Sequence, residues 1–144
     1  MSNPATLDKR LYTATASATG GREGRVRSSD GTIDFGVAMP RELGGSGGPG
    51  TNPEQLFAAG YSACFGSALM HVARAKKITT GPVEITANVT IGPVGQAFGL
   101  AVELVASLPE LPRDQAEALV HAAHEVCPYS NATRGNIVVD VRVA

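Results

Sequence analysis

The chain has 144 residues, a formal net charge of −1 and a pI near 6.3, which suits one domain that buries roughly 68–70% of its unfolded surface. It has no basic stripe, so nucleic acid is a poor partner. The first ten residues contain no apolar core of a secretory signal, and two cysteines in such a chain favour a chemical role over a structural disulfide. We therefore predict a single cytoplasmic domain over residues 1–144, with no nucleic acid and no membrane as partner.

Three short strands are predicted to open the chain as a meander. Residues 11–18 alternate apolar and polar side chains, which is typical of a half-buried strand. A Thr-Gly-Gly sequence at 19–21 interrupts this strand, Arg22 stands just past the break, and a second strand resumes over 24–28. The Ser-Asp-Gly sequence at 29–31 is a hairpin turn signal before a third strand. The apolar residues of that strand share one face: Ile33, Phe35 and Val37.

A long helix over residues 52–74 is predicted to organise the rest of the chain. A glycine-rich loop at 40–50 leads into it. Asn52 is a good N-cap, Pro53 suits the first helical position and Gln55 can complete a capping box. Cationic residues follow at the C-terminal end, where they complement the helix dipole.

No residue from 56 to 73 carries a formal charge, and Cys64 lies near the middle of this stretch. A helix that is apolar all round must be buried in lipid or in protein. The stretch only reaches the lower limit of a membrane span, and its glycines, serines and His71 favour burial in protein. Small residues recur every fourth position in two rows: Gly60, Cys64 and Ala68, and Ala59, Ala63 and Ser67. Such rows predict close packing against a second helix, from this chain or from another subunit.

The second half of the chain is predicted to contain a hairpin, a helix and a final strand. Residues 83–91 and 98–106 alternate as two strands around a turn at 92–95. An amphipathic helix follows over 114–126, ended by Cys127-Pro128 because proline disfavours helical geometry in the residue before it. Residues 129–136 are predicted as a polar loop before a strand with Ile137, Val139, Val141 and Val143. The fold class is α+β, with two sheets and two main helices.

Two sequence features resemble binding sites but lack some of the residues that a nucleotide or metal site requires. The glycine loop contains a G-x-G-x-x-G pattern over 45–50, but it lacks a preceding strand and a following acidic residue at the required distance, so a mobile flap is the better interpretation. On the second helix His121, His124 and Cys127 are spaced one turn apart and could hold a metal ion. No clear fourth ligand follows, and this metal-binding or sensing module is our alternative function.

The residues alone leave the role of Cys64 open. Free cysteine often behaves as a small buried hydrophobe, and core packing is the simpler interpretation. A catalytic thiolate in so apolar a setting would need a nearby cation, which the helix lacks. The candidates by position are Arg22, Arg25, Arg27 and Arg134.

Five segments of the sequence closely resemble the organic hydroperoxide resistance (Ohr) family of the wider Ohr/OsmC superfamily. Three are short: TGGR at 19–22, SDG at 29–31 and ELGG at 42–45. Two are long, TNPEQLFAAGYSACF at 51–65 and AHEVCPYSNATRGN at 123–136, and the second favours the Ohr branch over the osmotically inducible OsmC branch. The segments are ordered and correctly separated, so the resemblance spans nearly the whole chain.

This resemblance implies a thiol peroxidase that acts on organic hydroperoxides, including those of fatty acids. By the family pattern Cys64 is the peroxidatic cysteine and Cys127 the resolving one. Arg22 corresponds to the arginine that stabilises the thiolate and orients the peroxide, and Glu54 to the carboxylate that holds that arginine. The reductant implied is a dihydrolipoyl group, as dihydrolipoamide or on a lipoylated protein. The family fold implied is an intertwined, cytoplasmic homodimer with no metal and no bound cofactor.

Helix geometry adds one constraint on these roles. Glu54 and Cys64 are ten residues apart, about 15 Å along a straight helix, so one arginine cannot bond both within one unbroken helix of one subunit. We therefore predict that Glu54 meets Arg22 across a dimer interface, rather than through a later helix start or a bend at Gly60. The alkyl tail of the substrate needs an apolar pocket, with wall candidates Phe57, Phe98 and Tyr129.

Overall fold

The computed structural model describes residues 4–144. The chain divides into two compact units, one ending at Asn52 and one covering Pro53–Ala144. Each unit has a three-stranded sheet of its own. The α+β class with two sheets is therefore confirmed.

The first unit is the predicted meander. Its strands are β1 (Ala16–Thr19), β2 (Arg25–Ser28) and β3 (Asp34–Gly36), which pair antiparallel in the order β1-β2-β3. The turn between β2 and β3 places Gly31 at φ 79°, a left-handed conformation that glycine adopts at little cost. Ser28 Oγ donates to the Asp30 carboxylate there, and the Thr32 N–H donates to the same oxygen at 3.0 Å.

The first strand is shorter and more exposed than its alternation predicts. Residues 11–15 lie outside β1, and Leu11 and Tyr12 are 85% and 84% exposed. β1 itself is exposed at every position. The prediction of a half-buried strand over 11–18 is thus wrong for the single chain, because β1 is an edge strand and residues 4–52 contain no α-helix that could cover it.

Two short 3-10 helices complete the first unit. One, Gly21–Glu23, starts directly after Gly20, which has φ 73°, and carries Arg22 at its second position. The other, Arg41–Leu43, lies within the glycine-rich loop. An isolated β-bridge between Val37 and Thr51 brings the end of this loop back beside the residue that follows β3.

The second unit begins with α1 (Pro53–Ala75), one unbroken helix whose first residue is the predicted proline. The hairpin β4 (Glu84–Val94) and β5 (Ala97–Ser107), helix α2 (Arg113–Val126), a short helix α3 (Pro128–Thr133) and β6 (Val139–Val143) follow. β6 pairs parallel with β5, so the sheet order is β4-β5-β6. The central helix, the second helix and the final strand are confirmed.

Two local predictions in the second unit are wrong. The hairpin does not turn over 92–95, because the ladder continues through Pro93 opposite Phe98, and the turn falls at Gly95 (φ 58°) and the next residue. Residues 129–136 are not simply a polar loop. Pro128 starts the new helix α3, and its polar residues Ser130 and Thr133 are buried.

The core of the second unit lies between α1, α2 and the sheet. Tyr61, Phe65 and Leu69 of α1 have no exposed surface. The predicted inward face of α2 is confirmed, with Ala116, Leu119, Val120 and Ala123 buried. By length and composition α1 could also cross a membrane, a test that core helices of soluble proteins pass as well.

The two rows of small residues on α1 have different surroundings. Gly60, Cys64 and Ala68 lie on the side of the other helices of this unit: Gly60 is close to Tyr129, Cys64 is next to Cys127, and Ala68 is buried. Ala59, Ala63 and Ser67 are exposed in the single chain. The prediction of a neighbouring helix from the same chain is confirmed for the first row.

Candidate active site

Cys64 and Cys127 are neighbours in space although 63 residues separate them. Their Sγ atoms lie 3.5 Å apart, and both are free thiols. Cys64 is half-buried in the middle of α1, whereas Cys127 is fully buried. This pair is the centre of the candidate site.

The sequence around Cys127 explains its position. Cys127 is the C-terminal cap of α2, where its N–H donates to the Ala123 carbonyl at 2.9 Å. With its backbone extended, it is also the N-terminal cap of α3. Pro128 stands at the first position of α3, where its missing N–H costs no hydrogen bond. A residue at such a junction has its side chain fixed from both sides, and here the sulfur is held against α1.

The second unit makes ionisation of Cys64 harder rather than easier. Burial is the largest cause that raises the pKa of the Cys64 thiol above its ordinary value. The backbone N–H of Tyr129, in the first turn of α3, opposes this by donating to the sulfur, whereas the contact with the Cys127 sulfur raises the pKa of Cys64 further. No cationic side chain among the described residues of this unit is one of these causes. A reactive thiolate would need a cation from elsewhere.

Aromatic rings of α1 and α3 form an apolar wall that includes Tyr129, whose backbone N–H donates to the Cys64 sulfur. The rings of Phe57 and Tyr129 meet edge to face with centroids 5.9 Å apart, and Tyr61 packs 5.5 Å from Tyr129. Gly60 allows this approach, since a Cβ there would lie 2.7 Å from the Tyr129 hydroxyl. Of our three wall candidates the structure brings Phe57 and Tyr129 together. Phe98 lies near the hairpin tip with its side chain 76% exposed, and it has no ring contact among the described residues.

The two other residues implied by the resemblance lie apart from the cysteine pair along the chain. Glu54 is in the first turn of α1, and α1 continues unbroken to Cys64, so the helical rise between them is about 15 Å. A later helix start, one of the alternatives, is therefore wrong. Arg22 belongs to the first unit, and its approach to Glu54 and Cys64, within or across subunits, stays a prediction.

The rival arginines have partners elsewhere. Arg25 Nε lies 2.6 Å from an Asp34 carboxylate oxygen, and Arg27 Nε lies 3.6 Å from the same oxygen. Arg134 donates to Asn131 Oδ1 at 2.6 Å and to the His124 carbonyl. Arg25, Arg27 and Arg134 thus each have partners of their own, and the identity of the thiolate cation stays a prediction.

The alternative metal site is not supported by the geometry. His124 Nδ1 lies 2.7 Å from Ser130 Oγ, and the Cys127 sulfur faces Cys64. Within residues 4–144, no three His, Cys, Asp or Glu side chains are grouped so that they could hold a metal ion.

Sequence reasoning missed a buried polar network beside the cysteines. Tyr61 Oη lies 2.8 Å from Ser130 Oγ and 3.2 Å from Thr133 Oγ1, and Ser130 Oγ also meets His124 Nδ1. Burial, reinforced by the charge of Arg134, holds the pKa of His124 below its ordinary value of 6.5. One signal was available: a tyrosine inside a charge-free helix needs a hydrogen-bond partner for its hydroxyl.

Comparison with known proteins places the chain in a family. Residues 44–142 match the OsmC-like proteins. An organic hydroperoxide resistance protein from Xanthomonas axonopodis pv. citri is 54% identical over 97% of this chain and 99% of its own length. The crystal structure of an organic hydroperoxide resistance protein from Legionella pneumophila has 52% identity and a TM-score of 0.90, covering 94% of this chain and 99% of that one. The crystal structure of OhrB from Bacillus subtilis has 47% identity and a TM-score of 0.87 over 94% and 100% of the two chains. The chain therefore belongs to the organic hydroperoxide resistance proteins of the OsmC-like family.

Proposed function

We propose that this protein is a thiol peroxidase that reduces organic hydroperoxides, including those of fatty acids, to alcohols. The observation that carries the proposal is the Cys64–Cys127 pair, with sulfurs 3.5 Å apart. The names of the relatives, organic hydroperoxide resistance proteins, supply the substrate class. The apolar wall of Phe57 and Tyr129 suits an oily peroxide tail.

The proposed reaction proceeds in two steps. The Cys64 thiolate attacks one oxygen of the hydroperoxide, the O–O bond breaks, and an alkoxide leaves and takes a proton to become the alcohol. Cys64 is then a sulfenic acid. The Cys127 sulfur attacks the Cys64 sulfur, the S–O bond breaks, and the departing hydroxide combines with the Cys127 proton as water. For this step the sulfurs close from 3.5 Å to a bond of about 2.0 Å.

The role we assign to Arg22 follows from the raised pKa of Cys64. Burial disfavours the thiolate, and a guanidinium in a site of low dielectric can offset this, since each pKa unit corresponds to about 1.4 kcal/mol. Glu54 would orient the guanidinium while partly neutralising it, so its main contribution is positioning. In our proposal Glu54 reaches the arginine across a dimer interface.

Recycling requires an external dithiol, for which we propose dihydrolipoamide or a dihydrolipoyl group on a lipoylated protein. Thiol–disulfide exchange with two thiols opens the Cys64–Cys127 bond and leaves both cysteines reduced. No bound cofactor enters this cycle. We further propose that the protein is a cytoplasmic homodimer, in which the exposed row Ala59, Ala63 and Ser67 of α1 is a face for the second copy.

A steady-state assay tests the proposal. The purified protein is mixed with cumene hydroperoxide and dihydrolipoamide, and peroxide loss is followed. We expect turnover that depends on both reactants and is faster with a fatty acid hydroperoxide than with hydrogen peroxide, because only the former has a tail for the apolar wall. Equal rates for the two peroxides would contradict the substrate class, and absence of turnover would contradict the activity.

A further inference from the structure

The polar network beside the cysteines connects three helices at the level of the two sulfurs. Tyr61 lies three residues before Cys64 in α1, so the two side chains share a helix face. Ser130 in α3 lies three residues after Cys127, and His124 in α2 lies three residues before it. Each of the three side chains therefore lies three residues along the chain from one of the two cysteines.

Each hydroxyl in the network has one proton to donate, which fixes the donor and the acceptor of every hydrogen bond along the chain. The Thr133 hydroxyl donates to the Ser130 carbonyl at 3.2 Å, and a carbonyl only accepts. Thr133 Oγ1 must then accept from Tyr61, Tyr61 must accept from Ser130, and Ser130 must accept from His124 Nδ1. The neutral imidazole of His124 thus carries its proton on Nδ1.

The network is fully buried at its centre. Tyr61 and Ser130 have no exposed surface. Every buried side-chain nitrogen or oxygen within residues 4–144 has a hydrogen-bond partner. Removing one hydroxyl would leave its neighbours buried and unpaired, so the helices would shift to restore the bonds. Because Cys127 stands at the junction of α2 and α3, such a shift would move its sulfur.

We propose that the chain His124–Ser130–Tyr61 positions Cys127 for attack on oxidised Cys64. The inference rests on the proposed function. It concerns the competition that follows the first step. In one outcome the Cys64 sulfenic acid condenses with the Cys127 thiol, which forms the disulfide and releases water. In the other it takes an oxygen from a second hydroperoxide, giving a sulfinic acid and a second alcohol. The network favours the disulfide by holding the two sulfurs 3.5 Å apart.

Two variants test the inference by how oxidised Cys64 divides between these products. Reduced Ser130→Ala and Tyr61→Phe are each mixed with cumene hydroperoxide, quenched at intervals, and analysed by mass spectrometry for sulfenic acid, disulfide and sulfinic acid. A loss of alignment of about 1 Å predicts disulfide formation roughly 100-fold slower. Sulfenic acid should form at the wild-type rate, and sulfinic acid should accumulate. Tyr61→Phe keeps the His124–Ser130 hydrogen bond, so the test stays available if Ser130→Ala folds poorly.

Controls separate this role from general stability. Ser62→Ala removes a hydroxyl from α1 that donates to the Ala59 carbonyl outside the network, and Thr133→Ser keeps the hydroxyl that ends the network. Both should divide their products as wild type does. Wild-type proportions in Ser130→Ala and Tyr61→Phe, or equal slowing of both steps, would overturn the inference alone. A wild-type protein that forms neither sulfenic acid nor disulfide would overturn the proposed function as well.

Discussion

Replacing Cys64 with serine is expected to abolish peroxidase activity. A serine hydroxyl is nearly isosteric with the thiol but is a far weaker nucleophile near neutral pH. The helix around position 64 should be little disturbed, because the residue is half-buried and serine needs no more room than cysteine. Peroxide consumption with dihydrolipoamide present measures the loss, and circular dichroism checks that α1 is intact.

The matched control is Cys127→Ser, which keeps the nucleophile and removes its partner. It should consume peroxide in an initial reaction with the enzyme itself, leaving Cys64 as sulfenic acid that a second peroxide converts to sulfinic acid. Activity at the wild-type rate in Cys64→Ser would mean that both cysteines are structural. A burst of peroxide loss in Cys64→Ser would point to Cys127 as the nucleophile instead.

Arg22→Ala is expected to cost far more rate than stability. If the guanidinium lowers the pKa of Cys64 by one to three units, its loss should slow thiolate attack roughly 10- to 1000-fold near neutral pH. The 3-10 helix that carries Arg22 has no buried residue, so the free energy of unfolding should fall by less than about 1 kcal/mol. Single-turnover oxidation and urea unfolding measure the two effects.

Arg25→Ala is the matched control for Arg22→Ala. It removes an arginine of the same unit whose guanidinium pairs with Asp34, an exposed pair of small energetic value. Arg25→Ala should therefore leave the oxidation rate unchanged. Raising the pH should partly rescue Arg22→Ala, because the thiolate then forms without the cation. A proportional loss of rate and stability, with no rescue, would show that Arg22 is structural.

Local signals in the sequence predicted most of the elements. Pro53 fixed the first residue of α1, and the proline after Cys127 marked the end of α2. The alternation of apolar and polar residues correctly predicted both strands of the β4–β5 hairpin. It overestimated the first strand, because alternation shows only which side chains could be buried, and Leu11 and Tyr12 are exposed in the structure.

The site depended on contacts between distant parts of the chain, which spacing does not encode. The family resemblance paired the two cysteines, while their residues alone left Cys64 open between core packing and catalysis. Tyr61 and Ser130 are 69 residues apart and join only because α3 packs on α1. The helical start at Pro128 does not follow from the sequence, because one proline both disfavours helical geometry in the residue before it and suits the first position of a following helix.

The central claim is that Cys64 and Cys127 form a redox couple, and the products of a single turnover test it most directly. The fully reduced protein is treated with one equivalent of cumene hydroperoxide, digested without reductant, and examined by mass spectrometry. We predict one equivalent of alcohol and a peptide pair linked through Cys64 and Cys127, which dihydrolipoamide separates again. Consumption of the peroxide with both thiols still free, or a disulfide that dihydrolipoamide leaves intact, would contradict the mechanism.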